Sequence, residues 1–415
     1  MWFDAFKLAV PILLMLFLLW RKVHIAVAIL VSGVGLALVF RMPWTEMVTV
    51  AARAAVAWDT CEFVLIVYGV LVLVEILKAK DSLGRLVSAL RGMLRRKKLI
   101  VTLPPAIVGF LPMPAGALLP APILNETLRE DDVAPAVKTY INYWFRHIWE
   151  YSWPIAPGVI VTAAVFKVDV MRVTWATALF PPLAIAVGVG MMYLALPPLK
   201  RPPPAGGPLA GHLRDLTTGL WEIAAVVVPV IAFRRQLLAL GIPTVAVLWG
   251  VVLLSWLTMG RPWRVRWRAL GRALNPTLLS SSVAIMVFTA FIMRSPGVLD
   301  TTHRLIVGAG PFRALVMFAV PFLMGFLTGT SNAFAGIAFP LFLSVLGSGR
   351  PDMVGVMYLY VAGFCGVLLS PVHFCLILSA EYYGARLKDV YRYLVPSVAV
   401  MAVAATVIYW LRGGR

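Results

Sequence analysis

GFLTGTSNAFAGIAFP, residues 325–340, has a counterpart earlier in the chain: GFLPMPAGALLPAP, residues 109–122, with Gly109 and Gly325 set 216 positions apart. At nearly the same offset Pro154 falls opposite Pro371, and Tyr140 falls opposite Tyr358. A shared order and spacing is the mark of an internal repeat. Each copy joins two apolar runs through a patch of Gly, Pro, Ser or Thr, so each reads as a re-entrant hairpin, one over 99–124 and one over 312–346. Each is followed by an apolar run that proline breaks, 136–166 and 354–380.

The solvent follows from composition. Of the 415 residues 61% are hydrophobic and 13% charged, against about 45–50% and about 25% in an ordinary soluble domain. The chain is therefore expected to be an all-α polytopic membrane protein. Besides the two broken runs, apolar stretches near the length of a membrane span cover 5–20, 23–40, 61–77, 172–196, 219–233, 242–259, 277–293 and 393–411. This predicts roughly ten transmembrane helices and two hairpins. Each half holds five crossings, an odd number, so the second half enters the membrane upside down. The expected organisation is a first inverted-topology repeat at 1–196, a cytoplasmic linker at 197–215 and a second repeat at 216–415. The Pro/Gly stretch LPPLKRPPPAGGPLAGH (196–212) suits that linker. Inverted repeats with discontinuous helices are the pattern of secondary transporters, whose sites lie near the midplane.

The net charge of +19 is informative through its distribution. Most Lys and Arg lie in 21–22, 78–98, 125–138, 197–218, 260–275 and 381–392, which the positive-inside rule puts in the cytoplasm. Both termini are then outside, in a multi-pass protein of the cell membrane. The run RGMLRRKK (91–98) reads as a topology signal and a contact for anionic headgroups, with no role for nucleic acid. The first apolar stretch lacks a basic leader and a cleavage site, so it reads as a retained span. Cys61, Cys365 and Cys375 lack metal spacing and read as apolar packing. No metal beyond sodium is expected.

Within the first broken run, YINYWFRHIWEYSWP (140–154) places charge among aromatics. At helical spacing Asn142, Arg146 and Glu150 share one stripe, and Tyr143, His147 and Tyr151 share the next. An ionised side chain in a span costs at least about 2.5–3.5 kcal/mol and usually faces a cavity or a partner. Arg146 and Glu150 have the spacing of an ion pair, which serves either to hold the break or to bind substrate. His147 and Glu150 are the candidates for proton handling. At the second hairpin tip Thr328, Thr330, Ser331 and Asn332 offer hydroxyls and an amide for an anion or a cation, or else a plain helix cap. Ser370 and His373 flank the second break. They lack a GxSxG elbow and a placed acid, so they read as cavity lining, or His373 as a satisfied core histidine, and not as a hydrolase. Glu75 and Glu222 are expected at span ends, near the interface, and Trp44, Trp58, Trp221 and Trp263 in the aromatic belt.

The NYWFRHIWEY block and the two hairpins, with TGTSNA (328–333) at the second tip, resemble the prokaryotic integral-membrane family called domain of unknown function 401. That resemblance covers nearly the whole chain. It implies a branch of the ion transporter superfamily, with citrate, gluconate and arsenite carriers as relatives. In such carboxylate carriers both tips carry a Ser-Asn-Thr type motif for sodium and substrate. Here Thr330, Ser331 and Asn332 fit the second tip, whereas the first reads PMPAG (112–116), so two symmetric sodium sites are not implied. The sequence thus predicts a secondary active transporter of a small, organic anion, a symporter driven by a proton or sodium gradient. Substrate binding falls to Asn142, Arg146, His147, Thr330, Ser331, Asn332, Ser370 and His373, proton coupling to Glu150 and His147, and cation binding to Thr328, Ser331 and Asn332. The chain carries no GxxxxGK[ST], and no enzymatic activity is expected. The alternatives are a passive channel or a membrane scaffold. The expected partners are the lipid bilayer and the substrate, with a second copy of the chain as a further candidate.

Overall fold

The computed structural model describes residues 2–94, 96–110, 116–200 and 209–413. Among them every regular element is helical and none is a strand, in keeping with the expected all-α class. Five helices are long and apolar enough to cross a membrane: Trp58–Ala79, Pro276–Arg294, Gly310–Thr328, Met353–Tyr383 and Leu387–Leu411. A sixth is added if Val170–Ala176 and Phe180–Ala195, bent by 43°, form one span. Other predicted spans hold shorter apolar helices such as Ile25–Val39, Pro157–Phe166 and Thr244–Leu257. These helices suit a lipid bilayer, because a helix satisfies its own backbone where water is absent.

Eight helices position the site. They are α1 (Lys97–Val108), α2 (Pro135–His147), α3 (Pro157–Phe166), α4 (Arg313–Thr328), α5 (Ser331–Ala338), α6 (Met353–Leu369), α7 (Phe374–Tyr383) and α8 (Leu387–Leu411). The first predicted hairpin runs from α1 to the helix Ala121–Thr127. Residues 111–115, most of the PMPAG stretch, lie outside the described residues, as do 201–208 of the predicted linker. The helix Leu209–Ala232 begins within that linker. The stretch predicted as the second hairpin runs from α4, part of the Gly310–Thr328 helix that is itself long enough to cross a membrane, into α5 and then through Phe339–Phe342 to Leu343–Leu346.

Local chemistry sets the interruptions. Gly329 ends α4 in the left-handed region, φ +65°, where a side chain would be strained. Pro157 opens α3 at a position whose N–H has no helical partner to lose. Ser370 leaves α6 in extended conformation, and α7 starts after His373. Close packing does the rest. A Cβ at Gly109 would lie 2.2 Å from the carbonyl oxygen of Arg146, and one at Gly325 would lie 2.1 Å from that of Gly363. Each hairpin's first helix therefore presses its glycine against the backbone of the broken run that follows it.

One expectation needs correction. Glu222 is fully buried, and its Oε1 accepts from Lys80 Nζ at 2.8 Å, beside Ser255. A lysine folded inward from the end of Trp58–Ala79 supplies the counter-charge that hydropathy alone does not show. Glu75 is half-buried and pairs with Lys78 at 2.6 Å. Trp44, Trp58 and Trp263 are exposed, as belt aromatics would be, while Trp221 is half-buried with Lys80 Nζ 5.2 Å above its ring.

Candidate functional site

A helix that stops inside a membrane leaves carbonyls without partners, and each costs several kcal/mol if nothing replaces them. Side chains supply the replacements here. Trp149 Nε1 donates to Ala106 O at 2.8 Å and Trp153 Nε1 to Phe110 O at 2.9 Å, at the end of α1. At the end of α4, Ser370 Oγ donates to Phe326 O at 2.6 Å, and His373 Nδ1 lies 2.7 Å from Gly329 O. Phe110 and Phe326 stand 216 positions apart.

The two breaks are also tied to each other. Tyr360 Oη, on α6, donates to Glu150 O in the first break at 2.7 Å. Tyr143 Oη, on α2, donates to Leu368 O at the second break at 3.2 Å. Tyr143 and Tyr360 are separated by nearly the repeat offset, and so are their acceptors. Between the breaks, at the last turn of α2, lies a buried polar cluster. Arg146 Nη1 donates to Glu150 Oε1 at 3.2 Å, and His147 Nε2 lies 3.9 Å from the same oxygen. On its other side His147 Nε2 meets His373 Nε2 at 3.1 Å. The side chains of Arg146 and His147 are almost wholly buried and that of Glu150 is 16% exposed, so the carboxylate is the open end of the cluster. Desolvation offsets much of the attraction in such a pair, but removing one partner leaves an uncompensated charge.

The other predicted residues divide. Asn142 is buried and donates to Ala117 O at 2.9 Å and Ser379 Oγ at 3.0 Å, which docks the first hairpin and α7 on α2. Thr328 turns its hydroxyl back to Met324 O at 2.6 Å. Thr330 is exposed at the tip. Ser331 is buried under the start of α3, where a Cβ on Gly158 would lie 2.8 Å from its own Cβ. Asn332 lines a narrow cleft with Ile155, Pro157 and Ser282. The structure thus gathers Arg146, His147, Glu150 and His373, with the His373 N–H donating to Ser370 O at 3.2 Å, and leaves Thr328 and Thr330 apart from them.

A cavity of about 310 Å³ reaches the first break at Pro154 and Ile155, and Asp59, Glu62, Lys167 and Asp169 line it as well. Phe63, Ile155 and Ile160 line both this cavity and the cleft at Asn332. Asp59 and Lys167 form an exposed pair at 3.0 Å. Tyr360 was not singled out in the sequence, Tyr143 was placed only on a stripe, and Cys375 was read as apolar packing. The two tyrosines carried a usable signal, since they keep the repeat spacing; Cys375 carried none.

Comparison with curated proteins returns no match. The sequence model of one family, described as a protein of unknown function (DUF401), matches residues 6–411. With its whole length but the extreme ends accounted for, the chain belongs to that family.

Proposed function

We propose that this protein is a secondary active transporter of a small, organic anion, driven by a proton or sodium gradient. Its two halves are taken as inverted-topology repeats of five crossings each. The observation that carries the reading is the reciprocal bonding of the two breaks around a buried Arg–Glu pair. Broken backbone at membrane depth is tolerated where it lines a cavity or is buried in protein, and paired broken helices are the way secondary transporters build a midplane site. The cavity at Pro154 supplies an approach from the side that the charge distribution predicts to be outside.

Arg146 is the anion's partner in this mechanism. In the present arrangement Glu150 occupies it. An incoming carboxylate competes for the guanidinium, which binds such groups in a fork, and Glu150 is released. A coupling cation then compensates the freed carboxylate, so anion and cation load together. The test is flux into liposomes under an imposed gradient of protons or of sodium, with carboxylates, sugar acids and oxyanions as substrates. Gradient-dependent uptake of one of them is expected; a leak indifferent to both gradients would indicate a channel, and no flux a scaffold.

A double substitution separates substrate binding from structure. Arg146→Met alone leaves the half-buried Glu150 carboxylate without its guanidinium and is expected to cost up to about 3–5 kcal/mol of stability. Arg146→Met with Glu150→Leu should restore folding but not transport. Full transport in the double variant would remove Arg146 from the substrate site.

A further inference from the structure

His147 and His373 face each other through Nε2 at 3.1 Å, and both Nδ1 atoms lie against carbonyl oxygens, of Tyr143 at 2.6 Å and of Gly329 at 2.7 Å. A carbonyl only accepts, so each Nδ1 carries the hydrogen. In the neutral ring each Nε2 then presents a lone pair, and two lone pairs aimed at each other repel unless a cation lies between them. Cys375, in the first turn of α7, brings a third donor. One ligand atom from each of His147, His373 and Cys375 lies within 4.8 Å of the others, and all three residues are buried. We propose that these three side chains form a site for a borderline-soft divalent transition metal of the zinc class.

The geometry and the chemistry agree. Two imidazoles on one tetrahedral zinc, with bonds of about 2.0–2.1 Å, put their nitrogens about 3.3 Å apart. The observed spacing needs little change, and the thiol closes the remaining distance. Backbone carbonyls on both Nδ1 atoms are the usual outer support of metal-bound histidine, fixing tautomer and ring orientation. On binding, the metal takes two nitrogen lone pairs and the sulfur, and the thiol proton is released to solvent. Three protein ligands leave a fourth position for water. Glu150, held by Arg146, stays outside the set. Because His147 belongs to the first broken run and His373 and Cys375 to the second, the ion fastens the two breaks together. The site does not depend on the transport reading.

The experiment uses the full chain, purified in detergent and stripped with a chelator, titrated with Co²⁺. One equivalent is expected, with visible bands of a four-coordinate ion and a near-ultraviolet thiolate-to-cobalt band, both erased by Zn²⁺. Cys375→Ser should lose the thiolate band and keep the visible ones. His373→Ala should lose both. Since His373→Ala also frees a carbonyl, His147→Gln serves as a second test of the histidine pair. Absence of cobalt bands in the wild type would overturn the proposal and leave a shared proton as the cation, and so would a thiolate band that survives in Cys375→Ser. Zinc should also raise the melting temperature of the wild type, with a smaller shift in Cys375→Ser and none in His373→Ala. None of these readouts requires flux, so a failure of the transport assay leaves them intact.

Discussion

At the scale of the residue, the tyrosine hydroxyls are the sharpest test of how the breaks are held. Tyr360→Phe removes the donor to Glu150 O while keeping the ring, and an abandoned acceptor of this kind costs about 1–3 kcal/mol. Tyr143→Phe removes the longer bond to Leu368 O and should cost less. Denaturant unfolding in detergent measures both; equal stability in Tyr360→Phe and wild type would mean that the bond carries no weight. The residue scale is also where the sequence was most and least legible. Helical spacing pairs Arg146 with Glu150, and the pair forms, but α2 ends at His147 and Glu150 lies in the turns beyond it, while Asn142 docks on Ala117 and Ser379 instead of joining them. The meeting of His147 with His373 does not follow, because they are 226 positions apart and no local rule brings them together. Cys375 looked like packing for the same reason, since its neighbours in space come from another helix.

At the scale of the element, the helix interruptions were visible because proline and glycine mark them, as Gly329 ends α4 and Pro157 opens α3. What sequence could not give was the pressure behind each glycine. Gly109→Ala and Gly325→Ala should each be severely destabilising, because the new methyl meets a backbone oxygen that has no rotamer to change. Gly250→Ala, inside Thr244–Leu257 and with nothing within 4 Å of its Cβ position, should gain about 1 kcal/mol from helix propensity. Expression and melting temperature of the three variants side by side decide the matter. A well-folded Gly325→Ala would show that the hairpin is free to move off the broken run. Glu222 and Lys80 teach the converse lesson, since charges near span ends read as interfacial until the partner that draws them inward is seen.

At the scale of the whole molecule, the loops at the predicted cytoplasmic end are joined by charge. Lys97 Nζ reaches Asp131 Oδ2 at 2.5 Å, and the N–H of Lys200 donates to Asp131 Oδ1 at 2.8 Å. Burial pushes this carboxyl up, but the Lys97 hydrogen bond, the Lys200 N–H and the two ammonium groups outweigh it and hold Asp131 below the ordinary range. A carboxyl whose folded value is depressed stabilises the fold fully above its unfolded value, about 3.9, and loses that contribution as pH falls through the folded value. Wild type should therefore lose stability towards acid while Asp131→Asn, weaker near neutrality, changes less. Melting curves at stepped pH would show the two converge, and parallel curves would dismiss the latch. Orientation is tested separately: on the proposed reading, a cysteine placed in 91–98 should be labelled only from the cytoplasm and one in 347–352 only from outside. Labelling of both from one face would remove the inversion.

The crossed tyrosine bonds have a meaning beyond holding the breaks. When residue i of one unit meets j of another while j of the first meets i of the second, the contact is isologous, the kind a two-fold axis generates between identical subunits. Tyr143 with Leu368 and Tyr360 with Glu150 make that exchange within a single chain. On the proposed reading the protein carries the interface of a homodimer inside itself, and the linker acts as a tether between two subunits that were already complementary. A tether has a thermodynamic effect of its own: it turns an encounter that would depend on concentration in the bilayer into one fixed by effective molarity. Either half can then diverge, as the first hairpin tip has done, and still find its counterpart.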